Sequence, residues 1–236
     1  MIRAAEIEQI VPCFRPGARI LEIGAGTGQQ ALEISRLGFN VEAIEIPSSG
    51  YRDARVFPVI DYEGRHIPFP DESFDFVFSS NVLEHVGDLS ALNREIRRVL
   101  RPDGVAVHVL PTHAWRFWTT LTLFPAGVRY ALSREQAQIA TTIGPPKGLL
   151  HKLKRHFGRH GERGTLLSEH WLFHPSRWRR AFRADGFEPI EERPIGILYT
   201  GNMIFGTNLS IARRKKLARF MGSSTRLFVV KPIACR

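Results

Sequence analysis

Leu21-Glu22-Ile23-Gly24-Ala25-Gly26-Thr27-Gly28 is the stretch on which the reading of this chain turns. It follows a short apolar run that begins at Arg19, and it opens a segment, Thr27 to Leu37, whose apolar positions Ala31, Leu32, Ile34 and Leu37 have helical spacing. Gly38 then stops the helix. Glycines at such a junction permit positive φ and let a ligand approach the backbone. The helix start offers N–H groups and a partial positive charge, which suit a carboxylate or phosphate. A dinucleotide loop spaces its glycines G-x-G-x-x-G. Here the third glycine falls one residue early, at Gly28, and Gln29 takes the dinucleotide position.

Two acids sharpen the ligand. Glu22 lies just before the glycines, where it would repel a diphosphate and attract an ammonium group. Glu45 ends the next apolar run, Val41 to Ile46, where an acid accepts hydrogen bonds from ribose hydroxyls. An amino acid, a ribose and room for a base describe S-adenosylmethionine, which is the cofactor expected.

Outward from the loop, strand and helix alternate. Val56 to Ile60 reads as a third strand, Phe74 to Ser79 as a fourth and Val105 to Leu110 as a fifth. Leu89 to Leu100 is helical, with Leu89, Leu92, Ile96 and Val99 on one face and a turn at Arg101-Pro-Asp-Gly. Near-continuous apolar strands separated by helices predict a parallel sheet covered on both faces. Ligands of such sheets bind at the carboxyl ends of the strands, near the reversal of strand order. Further on, Pro175 to Asp185 reads as a helix, and Phe187–Ile190 and Leu227–Val230 as two more strands.

The chain resembles the class I S-adenosylmethionine-dependent methyltransferases, in particular their small-molecule, type 11-like branch. Ile20–Gln29, Val41–Glu45, Ile67-Pro-Phe-Pro-Asp-Glu-Ser-Phe-Asp75, Ser79-Ser-Asn-Val-Leu-Glu-His85 and Leu100-Arg-Pro-Asp-Gly104 carry the resemblance, in order, across about the first 110 residues. It implies a doubly wound, mostly parallel seven-stranded sheet, Rossmann-like, with an aromatic and basic lid inserted after the fifth strand. The last strand, near Leu227–Val230, would be antiparallel. The resemblance further implies that Gly24, Ala25, Gly26 and Gly28 surround the methionine part, that Glu22 helps hold its amino group and that Glu45 takes the ribose. Asp61 and Glu63 compete for the adenine amino group, and the backbone near Ser80 and Asn81 lines the opposite side. The implied division is 1–112 for the cofactor half, 113–170 for the acceptor-binding insertion and 171–236 for the rest of the sheet.

The reaction would be transfer of a methyl group to a small or lipid-linked acceptor, at oxygen. His85 and His113, after the fourth and fifth strands, are the residues expected to take a hydroxyl proton. Trp115, His170 and Trp171 are candidates for an aromatic acceptor lining. His170 and His174 lie four apart, but no third ligand has fitting spacing, so no metal site is expected.

Charge divides the chain. Residues 1–112 hold 11 basic and 16 acidic side chains, whereas 113–236 hold 22 and 7. Leu149, Leu150, Leu153 and Phe157 alternate with cations between Lys147 and Arg163, a pattern that suits peripheral contact with anionic lipid. RNA is the alternative partner for the same charge, and a non-catalytic cofactor-binding subunit the alternative role. The 236 residues are 43% apolar and 24% charged, which rules out wholesale disorder. Cys13 and Cys235 stand far apart without CxxC spacing, so no disulfide framework is expected. The acidic start lacks a signal peptide's basic flank, and the longest uncharged apolar stretch, 117–128, is short of the ~20 residues needed to span a bilayer. A cytoplasmic location is expected, at most peripheral to the inner membrane face.

Overall fold

A computed structural model describes residues 2–132, 160, 165, 167–200 and 209–233, with side chains described to 122 in the first of these stretches. The basic run at 147–163 lies outside the described residues apart from His160, as does Cys235.

The described strands are β1 (Arg19–Ile23), β2 (Asn40–Glu45), β3 (Ile60–Asp61), β4 (Phe74–Ser80), β5 (Leu100–Pro111), β6 (Phe187–Pro194) and β7 (Thr225–Pro232). They form one seven-stranded sheet in the order β3-β2-β1-β4-β5-β7-β6. The first five are parallel, and β7 runs antiparallel to both β5 and β6. Strand order reverses between β1 and β4, so the carboxyl ends of these two strands flank the crevice where such sheets bind ligands.

Period-two alternation places Leu21, Ile23 and Val77 in one core and Ile20, Phe76 and Phe78 in the other. The helices are α1 (Ile2–Ile10), α2 (Gln29–Arg36), α3 (Leu89–Val99), α4 (His113–Leu132), α5 (Glu169–Leu172), α6 (Pro175–Ala184) and α7 (Ile211–Met221). Ile7 and Ile10 of α1 and Ile34 of α2 cover the second core, and Leu92, Ile96 and Val99 of α3, with Phe182 of α6, cover the first. Asp88 caps α3 by accepting the Ala91 N–H at 2.9 Å.

Several elements differ from the sequence reading. The third strand is only Ile60–Asp61, because Pro58 denies a ladder donor just before it. Arg101 to Gly104 does not separate α3 from the fifth strand but lies within β5, whose register against β4 jumps between Phe74 and Phe76. Helices α1 and α7 were not anticipated. In α1 the residues of IRAAEIEQI bury Ala5, Glu6, Ile7 and Ile10, so an acid sits among the core positions and blurs the apolar stripe.

Candidate active site

A cavity of about 1100 Å³ opens at the switch point, walled by the Gly24–Thr27 loop, by Glu45 and by Ser80 to Val82. It exceeds the roughly 300–1,000 Å³ usual for small-molecule pockets, which leaves space for a nucleoside and a second reactant.

The loop is tight. Gly24, Gly26 and Gly28 all have positive φ. A Cβ on Gly28 (φ +76) would meet the Phe57 Cβ at 2.7 Å, and one on Gly24 would collide with Val82. The N–H groups of Gly24 and Ala25 are already bonded to the Ile44 carbonyl at 2.9 and 3.1 Å, which ties the loop to the end of β2.

Glu45 reinforces that tie. Its Oε2 accepts the Gly26 N–H at 2.7 Å and its Oε1 the Ile46 N–H at 2.8 Å. Each oxygen keeps a second lone pair, and the side chain borders the cavity. Asn81, a non-glycine residue at φ +55 just past β4, also lines the cavity and bonds its N–H to the Val109 carbonyl at 2.8 Å.

Glu22 stands elsewhere. It shares the face of Ile20, beneath α1 and α2, is 2% exposed and does not border the cavity. Burial pushes its carboxyl up to about 8, although the Ala31 N–H and nearby Arg3 oppose that rise. Arg3, which the sequence reading passed over, does line the cavity. Its Nη1 donates to Glu6 at 2.6 Å and to the Ser80 hydroxyl at 3.0 Å. No local motif marks it, since only the docking of α1 brings it there.

The two acids after β3 separate. Asp61 is bound by Arg52 and Arg55, which hold its carboxyl below the usual range. Glu63 borders the cavity and accepts the His66 N–H at 3.0 Å.

Of the two candidate histidines, His85 lines the cavity and His113 does not. His113 packs instead on His174, ring centroids 4.9 Å apart, because α4 begins there and turns away. Trp115, His170 and Trp171 also lie outside the walls. Trp115 packs on the His160 ring at 4.7 Å, Phe117 meets His170 at 6.3 Å and Trp171 stacks near His174 at 6.1 Å. His170 and His174 fall in different elements, α5 and the cap of α6, so their spacing of four does not give one helical face.

Residues 21–108 match the family model of a methyltransferase domain. This stretch is a methyltransferase domain. A sterol 24-C-methyltransferase of Gibberella zeae is 32% identical over 105 residues, 39% of this chain and 27% of that protein. A demethylmenaquinone methyltransferase of Corynebacterium kroppenstedtii is 36% identical over 93 residues, 38% and 40% of the two chains. The chain thus spans less than half the length of these curated relatives. An S-adenosylmethionine-dependent methyltransferase structure from Methanosarcina mazei aligns with TM-score 0.57 at 18% identity, covering 96% of this chain and 98% of that one. A chain from the Haloferax volcanii complex of the Trm112 methyltransferase activator with a methyltransferase aligns at 0.59 and 17% identity, covering 99% and 89%. At these identities the structures show a shared fold, so the methyltransferase domain and its C-terminal continuation together have the Rossmann-like methyltransferase architecture. Among the described residues no helix is long and apolar enough to cross a membrane.

Proposed function

We propose that the chain is an S-adenosylmethionine-dependent methyltransferase acting at an oxygen of a small or lipid-linked acceptor. The observation that carries this reading is the cavity at the switch point, which Glu45, the glycine loop and His85 line together. The residues fit the cofactor. The loop leaves no room for side chains at Gly24 and Gly28, and Glu45 retains lone pairs for a diol.

Glu45 would hold the ribose hydroxyls, and Glu63 the adenine amino group. Arg3 would pair with the carboxylate, beside the helix start to which the sequence alone pointed. Glu22, buried below the loop and kept protonated by that burial, supports the loop without lending charge to the ammonium end. When bound, S-adenosylmethionine supplies a methyl group already activated on a sulfonium. The protein's work is then to hold the acceptor in line, which is worth roughly 7–11 kcal/mol of barrier, and to take its proton. His85 is the imidazole in the cavity wall and is assigned that proton. His113 is not.

Residues 1–112 would serve the cofactor, 113–170 the acceptor and 171–236 the completion of the sheet. The sterol and demethylmenaquinone in the relatives' names agree with a lipid-linked acceptor. Calorimetry with S-adenosylmethionine on wild type and Glu45→Ala tests the core. Binding is expected, with at least tenfold loss in the variant, and absence of binding to the wild type would sink the reading. Donor-turnover assays with lipid extract, water-soluble extract and RNA then sort the acceptor. Turnover confined to RNA would overturn the lipid-linked assignment.

A further inference from the structure

Glu84 is buried beside the cavity, 5% exposed, and among the described residues neither of its carboxylate oxygens receives a hydrogen bond from another residue. A buried carboxylate left that way costs several kcal/mol unless something charged or protic meets it. Two imidazoles face it. Oε1 lies 3.9 Å from His85 Nε2 and 4.0 Å from His160 Nε2. All three ligand atoms fall within 4.8 Å of one another.

His160 is held in place. Its N–H donates to Glu169 at 2.6 Å, and its ring packs edge-on against His85 at 4.9 Å and against Trp115 at 4.7 Å. Glu169 is in turn fixed by a buried ion pair with Arg116 at 2.9 Å. Arg3 also acts on Glu84 through space, but its Nη1 donates to Glu6 and Ser80.

We propose that Glu84, His85 and His160 bind a divalent transition-metal ion, zinc being the best match, at the acceptor end of the cavity. Zinc bonds nitrogen and oxygen at about 2.0–2.2 Å, which sets neighbouring ligands about 3.3–3.6 Å apart. The two Glu84–imidazole separations need about half an ångström of closure and the His85–His160 pair at most about 1.5 Å, by side chains at the protein surface. One carboxylate and two imidazoles select a borderline ion over magnesium or calcium. Three protein ligands leave coordination positions open, as in zinc sites that bind a water or a substrate oxygen. His85 belongs both to the cluster and to the cavity wall, so an acceptor hydroxyl entering there can reach the ion. The inference rests on the methyltransferase reading for this purpose alone. It replaces a free His85 base with a metal that lowers the hydroxyl's pKa.

Zinc titration of the untagged full chain against a chromophoric chelator tests the site, with His160→Ala and Glu84→Gln alongside. One zinc per chain is expected. Affinity should fall in His160→Ala by more than the roughly 10–100-fold that loss of an outer-shell partner costs. The metal-free His160→Ala protein should still unfold in a single cooperative transition near wild type, losing only the ring contacts of a side chain that is 38% exposed; this guards against misfolding of Glu84→Gln. No stoichiometric zinc in wild type, or equal affinity in His160→Ala, would overturn the proposal. S-adenosylmethionine calorimetry on metal-free protein is a separate arm. Zinc binding without cofactor binding would leave the metal site standing and remove the methyltransferase reading, and the reverse would leave His85 as a free base.

Discussion

Glu22 offers the most quantitative test. Substituting Glu22→Gln keeps the shape and an acceptor for the Ala31 N–H but removes the ability to ionise. In the native protein burial raises this carboxyl from 4.5 to about 8. The folded-state pKa therefore lies above the unfolded one. Below pH 4.5 both states are protonated and nothing is lost. Between 4.5 and 8 the unfolded chain releases a proton that the native state retains, and stability falls as pH rises through that window. Each pH unit is worth about 1.4 kcal/mol, so the full span of about three and a half units reaches at most about 5 kcal/mol. Urea denaturation at pH 5, 6, 7, 8 and 9, without added cofactor, measures it. The difference in unfolding free energy, variant minus wild type, should climb by about 1 kcal/mol per pH unit from 5 to 8 and then level. Glu84 titrates in the same window in both proteins and cancels in the difference. A difference that stays flat across pH would refute the burial of an ionisable group at this position.

Gly28→Ala should destabilise by roughly 2–4 kcal/mol, combining a left-handed backbone with overpacking against Phe57, and should abolish cofactor binding; a melting curve and calorimetry check both. Glu63→Gln should weaken S-adenosylmethionine binding roughly tenfold, while Asp61→Asn, whose carboxylate is committed to Arg52 and Arg55, should change it less than about twofold. The reverse order would move the adenine contact to Asp61. Arg214 is fully buried and donates to the Leu198 and Leu209 carbonyls at 2.9 and 3.1 Å. Arg214→Met should lower stability by roughly 1–3 kcal/mol for each carbonyl orphaned, read by chemical denaturation, with cofactor affinity unchanged.

The core of the fold was legible because parallel strands buried on both faces must be apolar at nearly every position. Ile20 to Ile23, Ala43 to Glu45 and Val105 to Leu110 show this, as does the stripe Leu89, Leu92, Ile96 and Val99. The glycine loop and Glu45 were legible for a different reason. They act through backbone conformation and strand register, both of which are local. Helix α1 was not legible, because Glu6 is buried by pairing with Arg3 and Tyr199, partners 3 and 193 residues away.

The sequence by itself determined the sheet, the loop and the chemical character of the crevice, since alternation, glycine placement and strand-end acids are properties of neighbouring residues. Tertiary structure alone decided which groups share the cavity. It buried Glu22 below the loop, brought Arg3 in from the first helix, turned His113 away and set His160 beside Glu84 across 76 positions of chain. Convergence of that kind depends on how α1, α4 and α5 dock, and docking follows from long-range packing and buried ion pairs that no short window of sequence contains.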